Sequence, residues 1–133
     1  MSWRRAIVCW FGLAVLMVVN GVGRQAVLEP VFGPLRAHQA SSLYGVLLIV
    51  VAAWLFVPWI GARRSSEQIA LGLFWLACTV AFEFAFGHWV VGHSWSALLA
   101  DYDLAAGRLW PIVLLATTLS PWLVGRLRDR RAA

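Results

Sequence analysis

Four long apolar segments dominate the chain, and the connections between them are polar and contain glycine or proline. The segments cover about residues 6–22, 41–60, 69–91 and 109–124. Each is close to the roughly 20 residues that an α-helix needs to cross the hydrocarbon core of a bilayer. Membrane β-strands would instead show short stretches of alternating apolar and polar residues. The pattern therefore predicts an all-α fold, a bundle of four transmembrane helices.

Composition agrees with a membrane protein, because 62% of the 133 residues are apolar and 13% are charged, against about 25% charged in soluble domains. Four spans use nearly the whole length, so residues 1–133 are expected to form a single transmembrane domain. The net charge of +5 comes from arginines at the ends of apolar segments. We therefore expect the lipid bilayer, and no nucleic acid, as a partner.

The arginines predict the orientation, since cytoplasmic loops of membrane proteins carry an excess of basic residues. Three of the eleven, Arg24, Arg36 and Arg108, fall in the first and third connections. The other eight flank the first span, lie in the second connection or follow the last span: Arg4, Arg5, Arg63, Arg64, Arg126, Arg128, Arg130 and Arg131. Both termini are therefore predicted to be cytoplasmic, and the first and third connections to face outward.

The first span also has features of a cleavable signal peptide, namely two arginines, a short apolar core and small residues near its end. Against cleavage, Asn20 and Arg24 lie four residues apart and would share one face of a continuing helix. We expect an uncleaved chain.

Polar side chains concentrate at the outward end of the predicted bundle. This set forms the candidate ligand or ion-pair site: Asn20, Arg24, His38, Gln39, Glu83, His88 and Arg108. Glu83 is the most informative of these, because a charge inside a span costs about 2.5–3.5 kcal/mol on insertion scales. We expect an ion pair with Arg24 or Arg108, and a protonated or ligand-bound carboxyl is the alternative. Glu83 is thus expected to have a partner.

Helical spacing in the third span suggests two faces. Ala77, Ala81, Ala85 and His88 share a narrow sector that is expected to pack against other helices. A second sector, expected to face lipid, contains Trp75, Phe82, Phe86 and Trp89.

The third connection combines possible metal ligands with an amphipathic stretch. His88, His93, Asp101 and Asp103, together with His38, could bind zinc, iron or copper, but their spacing is unspecific and we expect neither a metal nor another cofactor. Apolar residues with helical spacing between Trp95 and Leu104 predict a short helix lying on the membrane surface. CxxC, HExxH, GxSxG and phosphate-loop motifs do not occur, which favours a non-enzymatic role.

A resemblance rests on Asn20-Gly21 with Arg24, on His38-Gln39, on the run Phe82 to His88 and on Gly107-Arg108-Leu109-Trp110-Pro111. In these motifs the chain resembles small uncharacterised four-span bacterial membrane proteins, over nearly its whole length. The resemblance implies a multi-pass protein of the bacterial inner (plasma) membrane and carries no activity with it.

Three classes of function fit these features. A binding or accessory protein with a polar site at the periplasmic mouth of the bundle is favoured, because no polar path crosses the predicted spans. A subunit of a homo-oligomeric small-solute or ion transporter ranks second, since an oligomer or a larger membrane complex could supply such a path. A membrane-embedded metal-dependent enzyme ranks third.

Overall fold

Four long helices and one short helix make up the chain in the computed structural model, which describes residues 1–132. The long helices are α1 (Trp3–Phe32), α2 (Pro34–Ile60), α3 (Ser65–Val90) and α5 (Trp110–Ala132). Helix α4 (Trp95–Ala100) and a 3-10 turn (Leu104–Ala106) lie in the connection between α3 and α5. All four long helices are long and apolar enough to cross a membrane. The prediction of an all-helical chain with four such helices is confirmed.

The helices extend beyond the apolar segments from which they were predicted. Helix α1 has 30 residues, about 45 Å at 1.5 Å per residue, against about 30 Å of hydrocarbon. It continues past Asn20 and Arg24 as far as Phe32. The next residue, Gly33, leaves helical geometry with φ of 84°. Helix α2 likewise ends at Gly61, with φ of 85°, a left-handed conformation that glycine adopts without penalty.

Two of the long helices contain a π-helical turn near the same end of the bundle. The turns cover Arg24–Leu28 in α1 and Phe86–Val90 in α3. A π turn holds one more residue than an α turn. Residues beyond it are therefore rotated away from the face that regular α-helical spacing would give them.

The two ends of the bundle differ in charge. The start of α1, the last turns of α5 and the α2–α3 connection lie at one end, where Ser2 N–H donates to Ile60 O at 2.8 Å and the Met1 ammonium lies 3.5 Å from Glu67. This end, called the arginine-rich end below, carries the eight arginines that were predicted to lie on one side of the membrane. The opposite end, called the mouth below, contains the end of α1, the start of α2, the end of α3, helix α4 and the start of α5.

The helices form a ring in which the contact between α1 and α3 is the weakest. Helix α5 packs against both α2 and α3, and α1 packs mainly against α2. Side-chain hydrogen bonds join α1 to α3: Trp10 Nε1 donates to Thr79 Oγ1 at 3.1 Å, and Trp75 Nε1 donates to Ala6 O at 3.2 Å. Aromatic side chains thus close the ring where backbone packing is sparse.

The predicted packing and lipid faces of α3 are largely wrong. Trp75, expected to face lipid, is completely buried in the core, whereas Ala77, Ala81 and Ala85 are exposed. Trp89 is exposed, as expected. A helix with apolar residues on every side gives no contrast from which to choose the buried face. Here the Trp75 indole lies in the core and donates a hydrogen bond to α1.

Close packing between α3 and α5 depends on Gly72. A Cβ atom at this position would lie 1.9 Å from the carbonyl oxygen of Thr118. Small residues of this kind let the backbones of membrane helices approach each other.

We predict that Gly72→Ala destabilises the protein by about 1–3 kcal/mol, the usual cost of overpacking a filled core. Gly12→Ala is the matched control, because a Cβ there meets no atom within 4 Å and alanine is the better helix former. Thermal unfolding in detergent measures both. Equal stability of the two variants would contradict the close α3–α5 contact.

Candidate functional site

A cavity of about 250 Å³ lies among α1, α2, α3 and α5 on the side of the mouth. Toward the mouth its lining is polar and includes Asn20, Arg24, His38, Glu83 and Asp101. Deeper in the bundle, by position along the same helices, the lining is mostly apolar, with Leu13, Met17, Ile49 and Val113 among its residues. The cavity is therefore amphipathic along the long axis of the bundle.

Glu83 is held by two neutral donors from different elements. Its Oε2 atom accepts a hydrogen bond from the Tyr102 hydroxyl at 2.7 Å and another from Trp110 Nε1 at 2.7 Å. Glu83 lies seven residues before the end of α3, about 10 Å of helix rise. The carboxyl group thus ties α3 to the α4–α5 connection and to the first residue of α5 inside the bundle.

The expected ion pair between Glu83 and an arginine is wrong. Arg24 Nε lies 3.9 Å from Glu29 Oε1, and Arg108 Nη1 lies 3.8 Å from Asp101 Oδ1. Within residues 1–132, none of the ion pairs closer than 4.0 Å includes Glu83. The phenol and the indole meet the carboxyl group without bringing a second charge out of water, which would have its own desolvation cost.

Tyr102 is placed by aromatic packing as well as by its hydrogen bond. Its ring stacks on Phe84 with centroids 6.1 Å apart and an interplanar angle of 14°. Burial raises the pKa of the Tyr102 phenol above its ordinary value, and the neighbouring Glu83 carboxylate raises it further. The hydroxyl therefore stays protonated and remains a donor to Glu83 at neutral pH.

Asn20 joins α1 to α2 with a reciprocal pair of hydrogen bonds. Its Nδ2 donates to the carbonyl oxygen of Ser41 at 2.9 Å, and its Oδ1 accepts from Ser41 Oγ at 3.1 Å. Every polar atom of the amide side chain that faces α2 is thereby satisfied, which fixes these helices beside the cavity.

His38 and Gln39 hold the segment that leads into α5. Leu109 N–H donates to His38 Nε2 at 3.1 Å, and Gln39 Nε2 donates to Gly107 O at 3.1 Å. Because Nε2 of His38 accepts, the ring is neutral in this arrangement, with its proton on Nδ1. These two residues, like Asn20, position the walls of the site.

The residues weighed as metal ligands are dispersed. His88 Nδ1 bonds to the carbonyl oxygen of His93 at 2.8 Å, and the His88 ring stacks on Trp95 at 3.8 Å between centroids. Asp103 Oδ1 accepts from Ala106 N–H and so caps the 3-10 turn, while Asp101 pairs with Arg108. Over residues 1–132, no three His, Cys, Asp or Glu side chains converge as a metal site would need.

Tyr102 and Trp110 are the site residues that the sequence did not indicate. Tyr102 lies in the stretch between Trp95 and Leu104 that has helical apolar spacing. Trp110 lies at the start of the fourth apolar segment, where tryptophan is common at membrane interfaces. A phenol and an indole near the outer end of a span do offer the donors that a buried carboxylate needs. Their approach to Glu83 depends on how the α4–α5 connection folds back, which helical periodicity does not describe.

Comparisons of the chain with protein-family models, curated protein sequences and solved structures find no match.

We predict that Glu83→Ala destabilises the protein by about 2–6 kcal/mol, because the Tyr102 hydroxyl and Trp110 Nε1, both partly buried, lose their acceptor and each unpaired donor costs about 1–3 kcal/mol. In a double-mutant cycle with Tyr102→Phe, the two losses should fall short of additivity by about 0.5–3 kcal/mol. Thermal unfolding in detergent of the single and double variants gives the coupling.

The control cycle combines Glu83→Ala with Arg24→Gln. These residues share no hydrogen-bond or ionic partner, so their coupling should be smaller than the coupling between Glu83 and Tyr102. Strong coupling to Arg24 together with none to Tyr102 would restore the ion-pair hypothesis.

Proposed function

We propose that the chain is a multi-pass protein of the bacterial inner membrane that binds a small amphipathic molecule at the mouth of its bundle. The amphipathic cavity supports this most directly, because its polar end and its apolar end lie at different depths. A ligand with a polar head and an apolar body would match both ends. Binding pockets in proteins are commonly apolar with a few converging polar groups.

The packing of the rest of the bundle favours binding over conduction by one chain. Between the cavity and the arginine-rich end, the interior is filled by buried apolar side chains that include Ala53, Val57, Ile60 and Leu71. A permeating ion would need polar groups or water along this stretch.

The charge distribution supports a cytoplasmic arginine-rich end and a periplasmic mouth. Eight arginines lie at the arginine-rich end, and three, Arg24, Arg36 and Arg108, lie at the mouth. Cytoplasmic ends of membrane helices carry the excess of basic residues. In this orientation both termini are cytoplasmic. Exposed Trp95, Leu99 and Leu104 around α4 suit a short helix on the outer membrane surface, which would bring the mouth level with lipid headgroups.

A second candidate function is that of a subunit in a homo-oligomeric transporter. One observation favours it: Ala77, Ala81 and Ala85 are exposed along one face of α3. Small residues with this spacing allow close approach of another membrane helix. A second copy packed there would lie beside the helix that carries Glu83.

We predict that reporter fusions after Arg64 and at the carboxyl terminus report a cytoplasmic location, and that fusions near Gly33 and Asp103 report a periplasmic one. The reason is the excess of arginines at the end shared by both termini. A cytoplasmic signal from the Asp103 fusion would contradict the four-span orientation.

We predict that filling the cavity abolishes ligand binding. Gly21 lines the cavity, and a Cβ there meets no atom within 4 Å, so Gly21→Phe should occupy the space without a backbone clash. Gly12→Phe is the matched control on the same helix, since Gly12 borders a separate apolar groove and also has open space around it.

The measurement is equilibrium dialysis of the protein in phosphatidylcholine nanodiscs against three six-carbon probes: hexylammonium, hexanol and hexanoate. Protein-free nanodiscs correct for partition into lipid. Saturable binding of at least one probe, lost in Gly21→Phe and kept in Gly12→Phe, is the expected result. If no probe exceeds the lipid background, the proposed binding function is wrong.

A further inference from the structure

We infer that the ligand of this cavity is an organic cation, an ammonium group carried on a small apolar body that contacts the aromatic wall beside Glu83. The inference rests on the proposed binding function and specifies the chemical class of the ligand.

The first argument comes from the charged side chains that line the cavity, which are Arg24, Glu83 and Asp101. Arg24 and Asp101 each lie within 4.0 Å of an opposite charge, Glu29 and Arg108 respectively. Glu83 has neutral donors and, in the part of the chain that the structure describes, no cation at that distance. A positive group entering the cavity would thus meet, at Glu83, the one carboxyl group of this lining that lacks a cationic partner.

The second argument is the geometry of the Glu83 carboxyl group. Both donors, the Tyr102 hydroxyl and Trp110 Nε1, bond to Oε2. Within residues 1–132, Oε1 receives no hydrogen bond from the protein. One oxygen therefore fixes the orientation of the carboxylate, while the other remains an acceptor for a donor in the cavity. A charge-assisted bond from an ammonium group is stronger than one between neutral groups.

The third argument is a wall of aromatic rings along α1 and α3. Trp10, Phe82 and Phe86 all line the cavity. Trp10 meets Phe82 edge to face at 5.8 Å between centroids, and Phe82 stacks on Phe86 at 5.1 Å. Aromatic faces attract cations through their quadrupole and also accept apolar groups. The wall therefore suits both parts of an ammonium-bearing amphiphile.

The size of the cavity limits the ligand. A volume of about 250 Å³ is smaller than the about 300–1,000 Å³ of pockets that hold drug-sized ligands. A six-carbon amine fits this limit, and at pH 7 it is protonated, because alkylamines titrate near 10.4 as the lysine side chain does. The net charge of +5 on the chain works against nonspecific attraction of such a cation.

The test compares the three six-carbon probes on the unaltered protein in phosphatidylcholine nanodiscs at pH 7. We expect hexylammonium to bind at least tenfold more tightly than hexanol, and hexanoate to bind most weakly. The ranking of the three probes is measured on the unaltered protein, so a folding defect in a variant cannot obscure it. Equal binding of hexylammonium and hexanol, both lost in Gly21→Phe, would overturn the cationic ligand and leave the binding function intact.

A variant then assigns the preference to Glu83. Glu83→Gln keeps an oxygen for Tyr102 and Trp110 but removes the charge, and it should weaken hexylammonium binding at least tenfold and by clearly more than it weakens hexanol binding. Asp129→Asn, an equal loss of charge at the exposed arginine-rich end, should leave both unchanged. Unchanged hexylammonium binding in Glu83→Gln would overturn the assignment, and failure of all three probes would instead overturn the proposed function.

Discussion

The mouth of the bundle depends on a single oxygen atom, Oε2 of Glu83, which accepts hydrogen bonds from Tyr102 and Trp110. Hydrocarbon offers no water to a carboxyl group, so a protein group must take over its solvation. Two aromatic donors do so here, one from the α4–α5 connection and one from the first turn of α5. The same two hydrogen bonds hold the α4–α5 connection and the start of α5 against α3. They therefore also shape the cavity that Glu83 and Trp110 line.

The need to satisfy polar atoms inside the bundle also explains the contact between α1 and α3, the weakest in the ring. Helices α1 and α3 have few backbone contacts, yet two indole N–H groups cross between them, to Thr79 Oγ1 and to Ala6 O. An indole supplies a large apolar surface and one polar atom that needs a partner. The two indole N–H groups therefore restrict how α1 and α3 are rotated against each other, because another rotation of either helix would leave a donor inside the bundle unsatisfied.

Helix number and approximate span positions follow from the sequence, because apolar length is set by bilayer thickness. The buried faces do not follow from it: Trp75 is buried and Ala77, Ala81 and Ala85 are exposed, the reverse of the expectation from small-residue spacing. The sequence also indicates that Glu83 needs a partner, since a charge within a span is costly, and the structure gives it two. The sequence misassigned that partner, because opposite charge suggested Arg24 or Arg108 whereas tertiary folding of the α4–α5 connection brought Tyr102 and Trp110 closer.

The paired π turns at Arg24–Leu28 and Phe86–Val90 have a consequence for how such sequences diverge. A π turn is equivalent to one residue inserted into a regular helix. Homologous chains that lost the inserted residue would keep their membrane spans, but side chains beyond the turn would swing by about 100° around the helix axis. An alignment of homologues should therefore show single-residue gaps within the first and third spans, and those gaps would separate chains that retain this mouth from chains that have rebuilt it.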